Sequence, residues 1–120
     1  MKKEDVLRLA FQTLEQREDT YGTPYENFKR VADMLTAYLG VDVQPHDVCI
    51  IEIIQKIVRL QTTRGLHSDS WIDIAGYAGI GAEVAHEEEK ESISIKEYLR
   101  KSFRMEDPPS KGASKPQAKA

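Results

Sequence analysis

The sequence predicts an all-α protein, a bundle of four to five helices followed by a disordered C-terminal tail. Apolar residues recur at helical spacing through most of the chain, and residues that start or end helices separate these stretches. No segment alternates between apolar and polar residues as a half-buried strand does. Because 120 residues can bury one modest core, we expect a single domain over residues 1–104.

The first two helices should meet at a corner with clear boundary signals. Apolar residues on one face predict the first helix over about residues 4–18. Thr23 is expected to cap the second helix, with Pro24 in its first turn and Glu26 completing a capping box. Gly40 is placed to end that helix, because glycine readily adopts the left-handed conformation found there.

The third and fourth helices should form the centre of the bundle. The third is expected over residues 45–62, and it is apolar almost all round, which is typical of a helix with neighbours on several sides. The fourth is expected from Ser68 or Ser70 to about Ala85. Its three glycines each cost up to about 1 kcal/mol against alanine. Close helix contact, within the chain or across a dimer, would offset that cost.

The last third of the chain is expected to be less regular. An acidic run over residues 86–91 interrupts the apolar pattern, and a short extra helix is predicted over about 94–104, with Ser94 and Glu97 as its capping residues. From Pro108 onwards no aromatic or large aliphatic residue occurs. Residues 105–120 are therefore predicted to be a disordered, locally basic tail.

Composition excludes several classes of function. The net charge of −3 gives no electrostatic attraction to nucleic acid or to anionic membranes, and it therefore disfavours a nucleic-acid partner. No segment approaches the roughly 20 apolar residues of a membrane span, and the N-terminus lacks a signal-peptide pattern. The single cysteine, Cys49, cannot form an internal disulfide. We therefore expect a cytoplasmic protein with no membrane partner.

The third helix carries a narrow polar stripe. Glu52, Gln55, Lys56 and Arg59 lie at i, i+3, i+4 and i+7, so they share one face. Lys56 as a point charge and Arg59 through its planar fork could together bind a triphosphate. The alternative is a solvated helix face on which Glu52 and Lys56 form an ordinary i,i+4 pair.

The start of the fourth helix carries two aspartates one turn apart. Asp69 and Asp73 resemble the one or two carboxylates that Mg²⁺ takes from proteins, with waters and phosphate oxygens completing its shell. However, Ser70 and Asp73 also have the spacing of a capping box, and Asp69 suits the positive end of the helix dipole. The spacing alone leaves both readings open.

A third group surrounds the corner between the first two helices. Arg17, Tyr21, Asn27 and Phe28 could hold a nucleotide, with an aromatic ring stacked on the base and Asn27 bonded to its edge. The alternative is a helix–turn–helix corner whose aromatic rings cover the core. Tyr77, one turn after Asp73, is on the same face as the aspartates and is a further candidate.

Three blocks together resemble a known family. They are Thr20-Tyr21-Gly22 with Glu26-Asn27-Phe28, then Lys56 to Arg59, then Asp69 to Tyr77 with the sequence D-S-W-I-D-I-A-G-Y. Over residues 4–85 the chain resembles a small phage and prophage domain family of unknown function. That family is similar to the nucleotide-modification-associated domains and, more distantly, to the MazG-like all-α nucleotide pyrophosphohydrolases.

The resemblance implies an oligomeric helical bundle that cleaves a nucleoside triphosphate to monophosphate and pyrophosphate in phage nucleotide metabolism. It implies Mg²⁺ on Glu52, Asp69 and Asp73, catalytic charge stabilisation by Lys56 and Arg59, and substrate contacts from Arg17, Tyr21, Asn27 and Tyr77. The chain departs from the superfamily in having one glutamate where the first acidic motif has several. Two alternatives follow: a non-catalytic module, such as a phage protein that sequesters a signalling nucleotide, or a helical oligomeric interaction protein.

Overall fold

Four helices make up the described part of the fold. In a computed structural model the described backbone covers residues 1–103 and the described side chains cover 1–17 and 22–103. The helices are α1 (Lys3–Tyr21), α2 (Pro24–Leu39), α3 (Pro45–Thr62) and α4 (Ser68–Ser102). Residues 1–103 contain no strand, which confirms the all-α prediction. The tail predicted over residues 105–120 lies outside the described residues.

The predicted boundaries of α2 and α3 are confirmed. The backbone N–H of Glu26 donates to the Thr23 hydroxyl oxygen at 3.4 Å, so Thr23 is the N-cap of α2, and Pro24 occupies the first turn. Gly40 ends α2 in the left-handed conformation at φ +73°. α3 begins at Pro45, where the Asp47 carboxylate accepts a hydrogen bond from the Gln44 backbone N–H at 2.9 Å.

The prediction that the fourth helix ends near Ala85 is wrong. α4 is a single helix of 35 residues, and the expected break over 86–91 does not occur. The acidic run contains no glycine or proline, and Glu and Lys are good helix formers. The loss of apolar periodicity in this run removes the sequence signal for packing against a core, but it does not end the helix. Ser94 and Glu97 consequently lie inside α4 and cap nothing.

The chain divides into two compact units, and the first, Met1–Glu89, contains the core and the site described below. The second begins at Lys90. Six buried residues form the core of the first unit: Phe28 and Ala32 from α2, Val48 and Cys49 from α3, and Ile80 and Val84 from α4. Within residues 1–103 no helix combines the length and apolar character needed to span a bilayer.

The glycines of α4 face neighbouring helices of the same chain. A methyl group at Gly81 would lie 3.4 Å from the Cys49 Cβ, so α3 and α4 approach closely there. Methyl groups at Gly76 and Gly79 would lie 4.0 and 3.8 Å from the Leu14 side chain of α1. The close contact expected from the sequence is therefore found within the chain.

A carboxylate from α4 binds the start of α3. The His46 backbone N–H donates to one oxygen of Glu88 at 2.6 Å, and the His46 Nδ1 lies 2.7 Å from the other. The Glu88 side chain is only 15% exposed. An anion at this position compensates the unpaired N–H groups and the dipole at the N-terminus of α3.

We predict that Glu88→Ala lowers the free energy of unfolding by about 1–3 kcal/mol, because it leaves a partly buried helix terminus without its charge-assisted acceptor. Urea denaturation followed by circular dichroism measures this change. Glu89→Ala is the matched control, since Glu89 is exposed and its loss should change stability by less than about 0.5 kcal/mol. Equal effects of the two substitutions would contradict the assigned role of Glu88.

Candidate functional site

A cleft with a volume of about 470 Å³ lies between the four helices of the first unit. Most of its wall is apolar or aromatic. Its charged and hydrogen-bonding side chains are Arg17, Thr23, Asn27, Glu52, Tyr77 and Glu83. A concave apolar site of this size with a few converging polar groups is typical of small-molecule binding sites, which span roughly 300–1,000 Å³.

Four of the residues predicted from the sequence line this cleft, one from each helix. Arg17 comes from α1, Asn27 from α2, Glu52 from α3 and Tyr77 from α4. The corner between α1 and α2 thus faces the central helices, as the nucleotide hypothesis requires. The side chain of Tyr21, predicted to join this group, lies outside the described residues.

Tyr77 is held in the cleft by two neighbours. Its ring meets that of Phe28 edge-to-face, with centroids 6.4 Å apart and an interplanar angle of 79°. The Arg17 guanidinium lies 5.5 Å from the ring centre and donates a long hydrogen bond of 3.4 Å to the Tyr77 hydroxyl. Phe28 belongs to the buried core, so it supports the wall of the cleft and fixes Tyr77.

Lys56 pairs with Asp73 across the α3–α4 contact. The Lys56 Nζ lies 3.1 Å from the Asp73 Oδ2, and the Lys56 side chain is only 14% exposed. The capping-box reading of Asp73 fails, because α4 begins at Ser68 and Ser70 is therefore not its N-cap. Ser70 is fully buried and bonds to the His67 Nδ1 at 2.7 Å.

The predicted metal ligands do not converge. Glu52 lines the cleft, Asp73 is paired with Lys56, and Asp69 is exposed in the first turn of α4. Among the side chains of residues 1–17 and 22–103, no group of three or more His, Cys, Asp or Glu residues could hold a metal ion. The set Glu52, Asp69 and Asp73 therefore does not fit a Mg²⁺ site here.

The polar side chains that share one face of α3 lie in three different environments. Glu52 faces the cleft and Lys56 faces α4, whereas Arg59 is exposed and does not line the cleft. Neither of the two cations predicted to act together on a triphosphate lines the cleft. Within the cleft, Arg17 is the cationic side chain.

Glu83 was missed by the sequence reasoning. It lies on α4 and lines the cleft together with Glu52. Its position, four residues after Gly79 and seven after Gly76, places it on the face that carries those glycines. This spacing from the two glycines is the feature of the sequence that could have identified Glu83 as a candidate. Neither Glu52 nor Glu83 forms a hydrogen bond or ion pair with the described residues.

Cys49 is buried at the contact between α3 and α4. Burial raises the pKa of its thiol to about 11, and the negative charges of Glu88 and Glu52 act in the same direction. The thiol therefore remains protonated at neutral pH and packs as a small apolar group against Gly81.

The sequence carrying this cleft matches a family. Residues 5–85 match the family described as Domain of unknown function (DUF6378). The chain belongs to this family. All of the cleft-lining residues, from Leu14 to Glu83, fall within the matched segment. The resemblance to a small phage domain family of unknown function, noted over residues 4–85, is confirmed.

The curated relatives are phage proteins. The chain is 44% identical over 64 residues to the "Gene 55 protein" of Mycobacterium phage D29, covering 53% of this chain and 42% of the relative. It is 44% identical over 66 residues to the "Gene 55 protein" of Mycobacterium phage L5, covering 54% and 42%. The chain thus spans less than half the length of these relatives. No solved structure matches it.

We predict that Lys56 and Asp73 are energetically coupled. Lys56→Met leaves a half-buried carboxylate without its partner and should lower the free energy of unfolding by about 1–2 kcal/mol. In a double-mutant cycle with Asp73→Asn, measured by urea denaturation, the coupling should be about 1 kcal/mol. Arg59→Met, on the exposed part of the same stripe, is the control. Strictly additive effects of Lys56→Met and Asp73→Asn would show that the ion pair does not stabilise the fold.

Proposed function

We propose that the protein binds a nucleotide in the cleft between its four helices. The observation that carries this proposal is the convergence of Arg17, Asn27, Glu52 and Tyr77, one from each helix, on a single largely apolar cleft. A site of this volume can enclose most of a nucleotide. Its polar groups are few and chemically distinct, as expected where each contacts a different part of one ligand.

The phosphate end of the ligand is assigned to the corner of α1 and α2. Gly22, Thr23 and Pro24 line the cleft at the N-terminus of α2, where the helix dipole favours an anion. Arg17 lies in the same wall and suits phosphate through its planar fork. The same guanidinium donates a hydrogen bond of 3.4 Å to the Tyr77 hydroxyl, which also lines the cleft.

The base and sugar are assigned to the remaining polar groups. Asn27 offers both a donor and an acceptor, so it can bond to a base edge. Tyr77 presents its hydroxyl, and its ring position is fixed by Phe28. Phage-encoded relatives and the MazG-like resemblance support a role in phage nucleotide metabolism in the host cytoplasm, for example as a module that sequesters a signalling nucleotide.

We predict that isothermal titration calorimetry against a panel of ribo- and deoxyribonucleotides detects binding without divalent metal. Arg17→Gln should weaken that binding at least about tenfold, because it removes a charge-assisted phosphate contact worth more than 1 kcal/mol. Arg30→Gln is the matched control, since Arg30 is exposed on α2 and does not line the cleft. Unchanged affinity of a folded Arg17→Gln protein, or no binding across the panel, would remove the proposal.

A second candidate function, hydrolysis of the bound nucleoside triphosphate, is favoured by Glu52 and Glu83. Two carboxylates from adjacent helices line one cleft and have no partner among the described residues. Mg²⁺ takes one or two protein carboxylates together with phosphate oxygens. Glu52 and Glu83 would supply such ligands from the wall of the cleft. Bound Mg²⁺ would supply charge neutralisation and a more acidic water, while Arg17 would stabilise charge on the phosphoryl oxygens.

We predict that, if hydrolysis occurs, Glu83→Gln and Glu52→Gln each abolish Mg²⁺-dependent pyrophosphate release while nucleotide binding without metal persists. Asp73→Asn should retain release, because Asp73 is occupied by Lys56. Loss of release in Asp73→Asn with retention in Glu83→Gln would place the metal at Asp73 instead. Binding without pyrophosphate release in the wild-type protein would identify a binding module.

A further inference from the structure

One carboxylate of the cleft stands beside a residue that has no side chain. Glu83 is on α4, lines the cleft and forms no hydrogen bond or ion pair with the described residues. It follows Gly79 by four residues, so the two lie on one face of α4, about 6 Å apart along the helix axis. Gly79 is exposed and also lines the cleft. α4 therefore offers a ligand a hydrogen-bond acceptor next to an uncovered turn of backbone.

The cleft around Gly79 suits a flat ring. Leu14, Val31 and Val48 contribute aliphatic side chains to the cleft from α1, α2 and α3. A Cβ atom at Gly79 would lie 3.8 Å from the Leu14 side chain, so any side chain there would fill space between the two helices. A planar base can lie over Gly79 and against these aliphatic groups, with its polar edge at Glu83.

We propose that the cleft selects guanine nucleotides, because the Glu83 carboxylate accepts two hydrogen bonds from the Watson–Crick edge of the base. The selection rests on the proposed nucleotide binding in its metal-free form. An ionised carboxylate only accepts hydrogen bonds, and its two oxygens can accept from two adjacent donors. Guanine presents N1–H and its 2-amino group side by side. Adenine, cytosine and uracil each place an acceptor beside their donor on this edge, and a carboxylate repels an acceptor.

The position of Glu83 relative to the phosphate end of the cleft fits a single nucleotide. Arg17, assigned to phosphate, contacts Tyr77. Tyr77 precedes Glu83 by six residues, which is about 9 Å along the axis of α4. An extended nucleotide has a similar separation between the Watson–Crick edge of its base and its first phosphate. Asn27, which lines the same cleft, can donate from its amide to O6 or N7 of guanine.

Calorimetric titrations in EDTA test the selection with the mono- and triphosphates of guanosine, adenosine and inosine. The protein should bind guanosine nucleotides at least about tenfold more tightly than adenosine nucleotides, since a good bidentate pair discriminates between bases by about that factor. Inosine nucleotides lack the 2-amino group and should also bind less tightly than guanosine nucleotides. Guanosine nucleotides bound no more tightly than either other set would overturn the selection and leave nucleotide binding in place. No binding of any nucleotide would remove both.

Glu83→Gln tests the assigned residue. An amide offers one acceptor and one donor, so it no longer matches the two donors of guanine but does match the donor and acceptor of adenine. The ratio of guanosine to adenosine affinity should therefore fall to about one or below. Glu89→Gln is the matched control, because Glu89 is exposed on the same helix and does not line the cleft.

The two variants separate a base contact from a general effect of charge. An unchanged ratio in a folded Glu83→Gln protein, or an equal fall in Glu89→Gln, would overturn the role of Glu83. If Glu83→Gln does not fold, the comparison of inosine with guanosine nucleotides in the wild-type protein still tests the contact with two donors.

Discussion

The close approach of α3 and α4 at Cys49 and Gly81 determines the arrangement of the site. Because residue 81 has no side chain, the two helices come near enough for Glu52 and Glu83 to share one cleft. The same contact brings Lys56 onto Asp73. Glu88 then binds the start of α3, so charged groups fix the relation of the two helices on either side of the glycine contact.

The electrostatic character of the cleft follows from this packing. One cation, Arg17, and two carboxylates, Glu52 and Glu83, lie in walls that are otherwise mostly apolar, where charge interactions are stronger than in water. Arg17 at the α1–α2 corner suits an anionic group, whereas the carboxylates suit a cation or hydrogen-bond donors. A nucleotide, with phosphates and a polar base and with or without Mg²⁺, meets both requirements in one ligand.

The helix boundaries could be predicted because their signals are local. Thr23, Gly40 and Pro45 start or end helices through their own backbone preferences. The length of α4 could not be predicted from apolar periodicity, which reports packing and not helix propensity. In the site, spacing correctly grouped Glu52 with Lys56 on one face. That Lys56 pairs with Asp73 while Glu52 lines the cleft depends on how α4 is rotated against α3, which spacing along one helix does not report.

The most direct test of the account is a nucleotide titration followed by two-dimensional ¹H–¹⁵N correlation spectra of the assigned protein. We expect the largest shifts at the Asn27 side-chain amide, the Arg17 guanidinium and the backbone amides of Gly22 and Gly79, all of which line the cleft. Spectra that do not change at saturating nucleotide, or shifts confined to the exposed face of α3, would contradict a nucleotide site in this cleft.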